Sequence, residues 1–180
     1  MLSPTYISSW LSNRQQDEIF YLLRTELDWI RHPDAPRSEY WMGPKPYTYG
    51  RGLGQRTYQP QPTHVCIEDV ITWLFRAEVG FIYNACFLNM YEDERDSLGW
   101  HADDDPGIDH SRPIAVVTLG NGRDIQFKPQ DGSGPITTQF LEPGSLLLMP
   151  AGFQQTHFHR IPKAGRQVGP RISMTYRSLL

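Results

Sequence analysis

The sequence has 180 residues, of which 39% are hydrophobic, and it carries a formal net charge of −3 with two cysteines. This length supports one well-buried core, two cysteines exclude a disulfide framework, and no apolar run is long enough to cross a bilayer. We therefore expect a single domain over residues 1–180 that is monomeric, is not secreted, lies in the cytoplasm or nucleus and does not bind membranes.

Two helices are predicted in the first half of the chain. Apolar residues spaced three and four apart within residues 19–30 predict an amphipathic helix. Residues 32–62 are rich in Pro, Gly, Tyr and Arg, which favours a surface loop with short strands. Thr63 is a candidate N-cap for a second helix over residues 65–75, which Gly80 would end.

Short apolar or alternating segments separated by Gly, Pro and Asp follow Gly80. They cover residues 81–91, 114–119, 123–128, 136–141, 145–149, 156–161 and 171–177. Six or seven strands with this spacing indicate a mainly β fold, an antiparallel sandwich or barrel over residues 80–180 with the helices flanking it.

A histidine and a carboxylate two residues apart form the first candidate site. In extended backbone, the side chains of His101 and Asp103 lie on one face. Either His157 or His159, from a distant predicted strand, would complete a set of two histidines and one carboxylate, which leaves three positions of Fe(II) open. Taken alone, the pattern is common, and an acidic turn before the Pro-Gly pair at 106–107 is the ordinary alternative.

The last predicted strand alternates strictly between polar and apolar residues. Its polar face carries Arg171, Ser173, Thr175 and Arg177. If the sheet encloses a cavity, both arginines face it and their guanidinium groups suit a small dicarboxylate; otherwise this face is an exposed surface. Asn89 and Tyr91 likewise share one face at the end of the first strand, where packing is the alternative to a binding role.

Charge is unevenly distributed along the chain. Residues 92–109 contain eight acids and one arginine. Residues 31–56 are predominantly basic, and residues 160–177 contain five basic residues and no acid. A polyanion could therefore contact the two basic stretches while avoiding the acidic one.

Four motifs, taken in order, resemble the AlkB family of iron(II)- and 2-oxoglutarate-dependent dioxygenases. They are Asn89-x-Tyr91, His101-x-Asp103, His159-Arg160-Ile161-Pro162 and Arg171-x-Ser173-x-Thr175-x-Arg177. The resemblance runs from about Pro36 to Leu180 and implies a double-stranded β-helix, or jelly roll. It also implies an iron site at His101, Asp103 and His159, because the family's second histidine precedes a small apolar residue and proline, as His159 does and His157 does not. The residues that would bind 2-oxoglutarate are Asn89, Tyr91, Arg171, Thr175 and Arg177.

The activity that this resemblance implies is oxidative demethylation of N-alkylated bases, such as 1-methyladenine and 3-methylcytosine, in DNA or RNA. Dioxygen and 2-oxoglutarate would be consumed, and succinate, carbon dioxide and formaldehyde released. The partner would be an alkylated nucleic acid that is single-stranded or has its target base flipped, since a paired base cannot reach such a centre.

The resemblance also implies a substrate-binding region. Residues 32–62 are similar to the family's nucleotide-recognition lid, whose aromatic residues would stack on a base and whose arginines would contact phosphate. Two acids after the metal motif would lie near the cationic methylated base. The residues implied in substrate binding are Arg37, Trp41, Tyr47, Tyr49, Asp104, Asp105 and Arg123.

Two positions differ from the family pattern. Ser173 replaces an asparagine, which removes one hydrogen bond to the cosubstrate or routes it through water, and Asp105 replaces a longer glutamate of some members. Two alternatives to base demethylation remain. The same iron chemistry could act on another base, a peptide or a small molecule, or the chain could be a non-catalytic jelly-roll binding module.

Overall fold

The computed structural model describes residues 2–33, 35–50 and 55–180, except for the side chain of Tyr49. Helix α1 spans Asn13–Glu26 and begins with a capping box, in which Ser12 and Gln15 each accept a hydrogen bond from the other's backbone N–H. It ends before the predicted limit of Ile30, which instead forms an isolated β-bridge with Glu39. The indole of Trp29 donates to the carbonyl of Leu23 at 3.0 Å, which satisfies one of the last free carbonyls of the helix.

Helix α2 spans Val65–Leu74 and continues through a π-helical turn, Phe75–Val79, to Gly80. Gly80 has a φ of 70°, the left-handed conformation that commonly ends a helix. The prediction of Thr63 as the N-cap is wrong: His64 is the cap, and its Nδ1 accepts from the backbone N–H of Cys66 at 3.2 Å. Within the described ranges, no helix is long and apolar enough to span a membrane.

The described residues form a six-stranded sheet, a four-stranded sheet and a two-stranded hairpin. The strands, in chain order, are β1 (Thr5–Ile7), β2 (Ser38–Met42), β3 (Tyr47–Tyr49), β4 (Arg56–Tyr58), β5 (Ala85–Tyr91), β6 (Leu98–His101), β7 (Ile114–Gly120), β8 (Arg123–Pro129), β9 (Thr137–Leu141), β10 (Leu146–Met149), β11 (His157–Ile161) and β12 (Arg171–Arg177). The mainly β, jelly-roll fold class predicted from the sequence is confirmed.

The two large sheets are antiparallel and enclose the interior. The six-stranded sheet has the order β1-β10-β7-β12-β5-β2, and the four-stranded sheet has the order β6-β11-β8-β9. Both helices pack on the outer face of the larger sheet, in a core that includes Leu23, Val70, Leu88 and Met174. A second core, which includes Phe127 and Phe153, fills part of the space between the sheets.

Strand β2 corrects the prediction that residues 32–62 lie only on the surface. All five of its residues are buried, and it pairs with β5 along the edge of the six-stranded sheet, with Tyr40 opposite Leu88. The remaining hairpin, β3 and β4, covers the same end of that sheet, where Tyr47 and Tyr58 pack on Phe87. The sheet therefore includes strands from outside residues 80–180, since β1 and β2 form its two edges.

Candidate metal and cosubstrate site

Strands β6 and β11 bring two histidines into contact. His159 pairs with His101 across the strands, and their ring centres are 4.1 Å apart. Asp103 follows two residues after His101 and is 1% exposed. One ligand atom from each of these three residues lies within 4.8 Å of the others, so a single metal ion could bind all three. His157 is outside this cluster, and its ring stacks on Phe153 instead.

The protonation states of these side chains suit metal binding. Burial lowers the pKa of His159 to about 3 and also lowers the pKa of His101. Burial alone would raise the pKa of the Asp103 carboxyl, but the charge and hydrogen bond of Arg177 together with the two histidines outweigh it, and the pKa is lowered. Neutral imidazoles and an ionised carboxylate are the forms that coordinate a metal.

Two further contacts orient the ligands. His101 Nδ1 lies 2.9 Å from the carbonyl of Gly99, so the Nδ1–H donates and the Nε2 lone pair is left for a metal. The backbone N–H of Asp103 donates to Gln154 Oε1 at 3.0 Å, from a 3₁₀ turn at Phe153–Gln155. Sequence reasoning missed Gln154, because only the fold brings it to the motif. Two histidines and one carboxylate fit Fe(II) and leave three positions for oxygen ligands.

The predicted cosubstrate residues lie on the paired strands β5 and β12. Tyr91 is opposite Arg171, Asn89 is opposite Ser173 and Phe87 is opposite Thr175. The predicted set Asn89, Tyr91, Arg171, Thr175 and Arg177 is buried. A small cavity beside His101 is lined by Arg37, Phe87, Asn89, Leu98, His101 and Arg177.

The two arginines of β12 have different surroundings. Arg177 Nη2 lies 2.7 Å from Asp103 Oδ1, which ties this guanidinium to the metal-binding carboxylate. Arg171 donates from Nη2 to Thr118 Oγ1 at 3.0 Å, but its Nε and Nη1 have no partner among the described residues. Burial lowers the pKa of Arg171 to about 10. A buried cation with unsatisfied donors fits a site for a carboxylate of 2-oxoglutarate.

The predicted contact of Arg37 with phosphate requires an exposed side chain, but Arg37 is buried. It is 4% exposed, its Nε donates to Asn89 Oδ1 at 2.6 Å, and its Nη2 lies 2.5 Å from Glu39 Oε1. The hydroxyl of Tyr58 donates to the other Glu39 oxygen at 2.7 Å. The correction has a physical reason: Glu39 on β2 and Arg37 directly before β2 both lie in the interior, where each neutralises the other.

A larger cavity, with a volume of about 650 Å³, opens beside His101. Its lining includes Tyr47, Trp100, Phe158, Asp104 and Asp105, three of which are predicted substrate residues. Asp105 Oδ1 accepts from the backbone N–H of Gly107 at 2.7 Å. Sequence reasoning missed Trp100 and Phe158, because strand alternation places them on the side opposite to His101 and His159.

Two further predicted substrate residues, Trp41 and Arg123, do not line this cavity. Trp41 is 1% exposed, stacks on Tyr47 with ring centres 4.7 Å apart, and donates from Nε1 to the carbonyl of Lys45 at 3.0 Å. It therefore supports Tyr47 from behind and does not face the cavity. The side chain of Tyr49 lies outside the described residues.

Arg123 is 2% exposed and does not line either cavity. Its guanidinium donates to the backbone carbonyls of Asp93, Asp96 and Pro162 at 3.1, 2.8 and 2.6 Å. These contacts hold the loop after β5 to the residue that follows β11. The substrate-binding role that the resemblance implies for Arg123 is therefore corrected.

A jelly roll that places two histidines and a carboxylate beside buried arginines defines an iron(II)- and 2-oxoglutarate-dependent dioxygenase. The sequence model of the 2OG-Fe(II) oxygenase superfamily matches residues 4–177. The chain belongs to this superfamily and, within it, to the AlkB family. The predicted family, enzyme class, iron and 2-oxoglutarate are thus confirmed.

Several relatives are similar along nearly the whole chain. Alpha-ketoglutarate-dependent dioxygenase alkB homolog 3 of Bos taurus is 28% identical over 99% of this chain and 68% of its own length. DNA oxidative demethylase ALKBH2 of Homo sapiens is 27% identical over 92% of this chain and 69% of its own length. The solved structure of OsALKBH1 has a TM-score of 0.67 at 15% identity and covers 99% of this chain and 97% of its own, which shows the shared fold.

Proposed function

We propose that this enzyme oxidatively demethylates N-alkylated bases, such as 1-methyladenine and 3-methylcytosine, in single-stranded or base-flipped DNA or RNA. The observation that carries the proposal is the cavity of about 650 Å³ beside His101, which has aromatic and acidic walls. The similarity to a DNA oxidative demethylase supports the same substrate class.

The lining of the cavity suits a methylated base. Tyr47, Trp100 and Phe158 offer aromatic surface to a flat heterocycle. Methylation at these ring nitrogens makes the base cationic, and Asp104 and Asp105 place negative charge in the wall of the same cavity. A neutral, unmethylated base would bind less tightly, because these two carboxylates would attract it less.

In this proposal, His101, Asp103 and His159 hold Fe(II), and Arg171 holds a carboxylate of 2-oxoglutarate. Bound iron with 2-oxoglutarate supplies the activation of dioxygen. Arg177 keeps Asp103 ionised and in place, while Asn89, Tyr91 and Thr175 line the cosubstrate pocket. Within residues 32–62, the hairpin segment that carries Tyr47 covers the substrate, whereas β2 extends the sheet of the catalytic core, most of which lies in residues 80–180.

The test measures formaldehyde and succinate from single DNA and RNA strands that carry 1-methyladenine or 3-methylcytosine. We expect both products in equal amounts from a methylated strand and no formaldehyde from its unmethylated copy. Asp103→Ala should lower turnover by at least about 100-fold, because losing a metal ligand costs no less than losing an outer contact. Asp124→Ala, which removes an exposed acid on β8, is the matched control. Succinate without formaldehyde from every methylated strand would contradict the proposal and favour another substrate.

A further inference from the structure

Two cations share one indole on the outer face of the four-stranded sheet. Lys128 Nζ and the guanidinium carbon of Arg160 each lie 4.6 Å from the centre of the Trp100 ring. Lys128 Nζ also lies 5.7 Å from the centre of the Phe158 ring. We call these four residues, Trp100, Lys128, Phe158 and Arg160, the cationic face.

Strand alternation places the cationic face behind the metal-binding residues. Across β11 and β8, Phe158 is opposite Lys128, whereas the buried His159 is opposite the buried Phe127. Successive side chains of a strand point to opposite sides. The strand that holds His159 inside therefore holds Phe158 and Arg160 outside.

The cationic face is continuous with the larger cavity. Trp100 and Phe158 belong to the cationic face and also line the cavity. Another part of the cavity wall carries Asp104 and Asp105. The opening thus has an acidic part and a part that leads to the two cations, so a polyanionic chain is attracted on one side and repelled on the other.

Lys128 and Arg160 have no ion-pair partner in the part of the chain that the structure describes. Among the described residues, no carboxylate lies within 4.0 Å of either cation. Arg160 Nε donates at 2.8 Å to Gln126 Oε1, a neutral acceptor. Contact with the Trp100 ring restrains both side chains without cancelling their charges. Two neighbouring cations that are held in place and unpaired form a site for an anion that bears more than one charge.

We propose that the cationic face binds phosphates of a single-stranded nucleic acid beside the nucleotide whose base enters the cavity. This inference deepens the proposed function and rests on it. The acidic part of the opening excludes the backbone, so the strand runs from the cavity over Trp100 towards Lys128 and Arg160. These contacts carry no sequence information; they set the position of the strand.

The test compares two double variants that remove equal charge. One is Lys128→Gln with Arg160→Gln, and the control is Arg14→Gln with Arg76→Gln, two exposed arginines on the helical side of the larger sheet. Affinity for a methylated strand of about 15 nucleotides is measured by fluorescence anisotropy at several salt concentrations, with Fe(II) and 2-oxoglutarate under anaerobic conditions. We expect the first variant to lose about tenfold in affinity and to lower the salt slope by about 1.4, since each single-strand phosphate contributes about 0.7. The control should stay within about twofold of wild type.

A second measurement uses substrate length. We compare kcat/KM on the long strand with kcat/KM on a methylated trinucleotide. The ratio of the first to the second should fall about tenfold in the first variant and remain unchanged in the control. Equal losses of affinity in both double variants, or a salt slope that does not change in the first variant, would overturn the proposal. Displacement of the strand by polyglutamate of matched charge at equal concentration would also overturn it, because that result describes a general anion site.

Failure of the proposed function is distinguishable from failure of this inference. If wild type forms no formaldehyde from any methylated strand, the demethylase assignment fails, while the salt slope of strand binding still reports on the cationic face. If formaldehyde forms and the two double variants behave alike, the demethylase assignment stands and the cationic face does not bind the strand.

Discussion

Arg171 and Arg123 are both almost fully buried, yet their surroundings give them opposite roles. All three donor contacts of Arg123 end on backbone carbonyls of the protein. Arg171 makes one side-chain hydrogen bond, from Nη2 to the hydroxyl oxygen of Thr118, and its Nε and Nη1 are unsatisfied among the described residues. A buried charge without partners costs stability, whereas a buried charge that satisfies carbonyls supports the fold. Arg123 therefore belongs to the scaffold, and the unsatisfied donors of Arg171 support its proposed role in ligand binding.

Replacing Arg171 by Met should leave the free energy of unfolding without cosubstrate unchanged or raise it by about 1 kcal/mol, because an uncompensated cation is removed. The same variant should lose the rise in Tm that 2-oxoglutarate gives to wild type. Both quantities are measured by thermal unfolding under anaerobic conditions with Fe(II), with and without 2-oxoglutarate.

Arg123→Met is the matched comparison, since it makes the same change at another buried arginine. It leaves three carbonyls without donors and should lower the free energy of unfolding by about 3 kcal/mol while the folded protein still responds to 2-oxoglutarate. A loss of stability as large in Arg171→Met as in Arg123→Met would show that Arg171 supports the fold and would remove the basis for its role in binding.

Strand β2 joins the edge of the larger sheet to the proposed cosubstrate pocket. Glu39 is fully buried between Arg37 and Tyr58, and Arg37 in turn donates to Asn89 on β5. The strand is held by backbone pairing with β5 and by this chain of charged and polar groups. Removing the charge of Glu39 would leave Arg37 buried without its counter-ion.

Glu39→Gln should therefore lower the free energy of unfolding by about 3 kcal/mol, although it preserves side-chain size. Urea denaturation, analysed with one m-value for all variants, measures this change. Glu18→Gln, on the exposed side of α1, makes the same substitution and should change the value by less than about 0.5 kcal/mol. If the two variants are equally stable, the Arg37–Glu39 pair does not anchor β2.

Elements with a strong local pattern were predictable from the sequence, whereas those fixed by distant partners were not. The strict alternation of Arg171–Arg177 gave β12 with its bounds. Strand β6 has four residues, and its partner β11 lies far along the chain, so only the spacing of His101 and Asp103 hinted at extended backbone. The environment of Arg37 was missed because burial of β2 depends on pairing with β5.

At the scale of the whole molecule, the pH response follows from the buried metal-binding histidines. The pKa of His159 in the folded protein is about 3, below the ordinary value of about 6.5 that the unfolded chain keeps. Between these values the unfolded chain binds a proton that the folded protein does not. The contribution of His159 to the free energy of unfolding is therefore fully present above about pH 6.5 and decreases as the pH falls. For His159 alone, the loss between pH 6.5 and 5.5 is about 1 kcal/mol.

Fe(II) should oppose this loss near neutral pH and oppose it less in acid, because metal and protons compete for the same imidazole nitrogens. At a concentration 100 times its Kd, the metal adds about 2.7 kcal/mol to the free energy of unfolding. We expect this increment in anaerobic urea titrations at pH 7.5, a smaller one at pH 5.5, and none in Asp103→Ala. Asp124→Ala should keep the full increment, as its exposed carboxylate is outside the cluster. An increment that does not change with pH, or that survives in Asp103→Ala, would place the metal away from His101, Asp103 and His159.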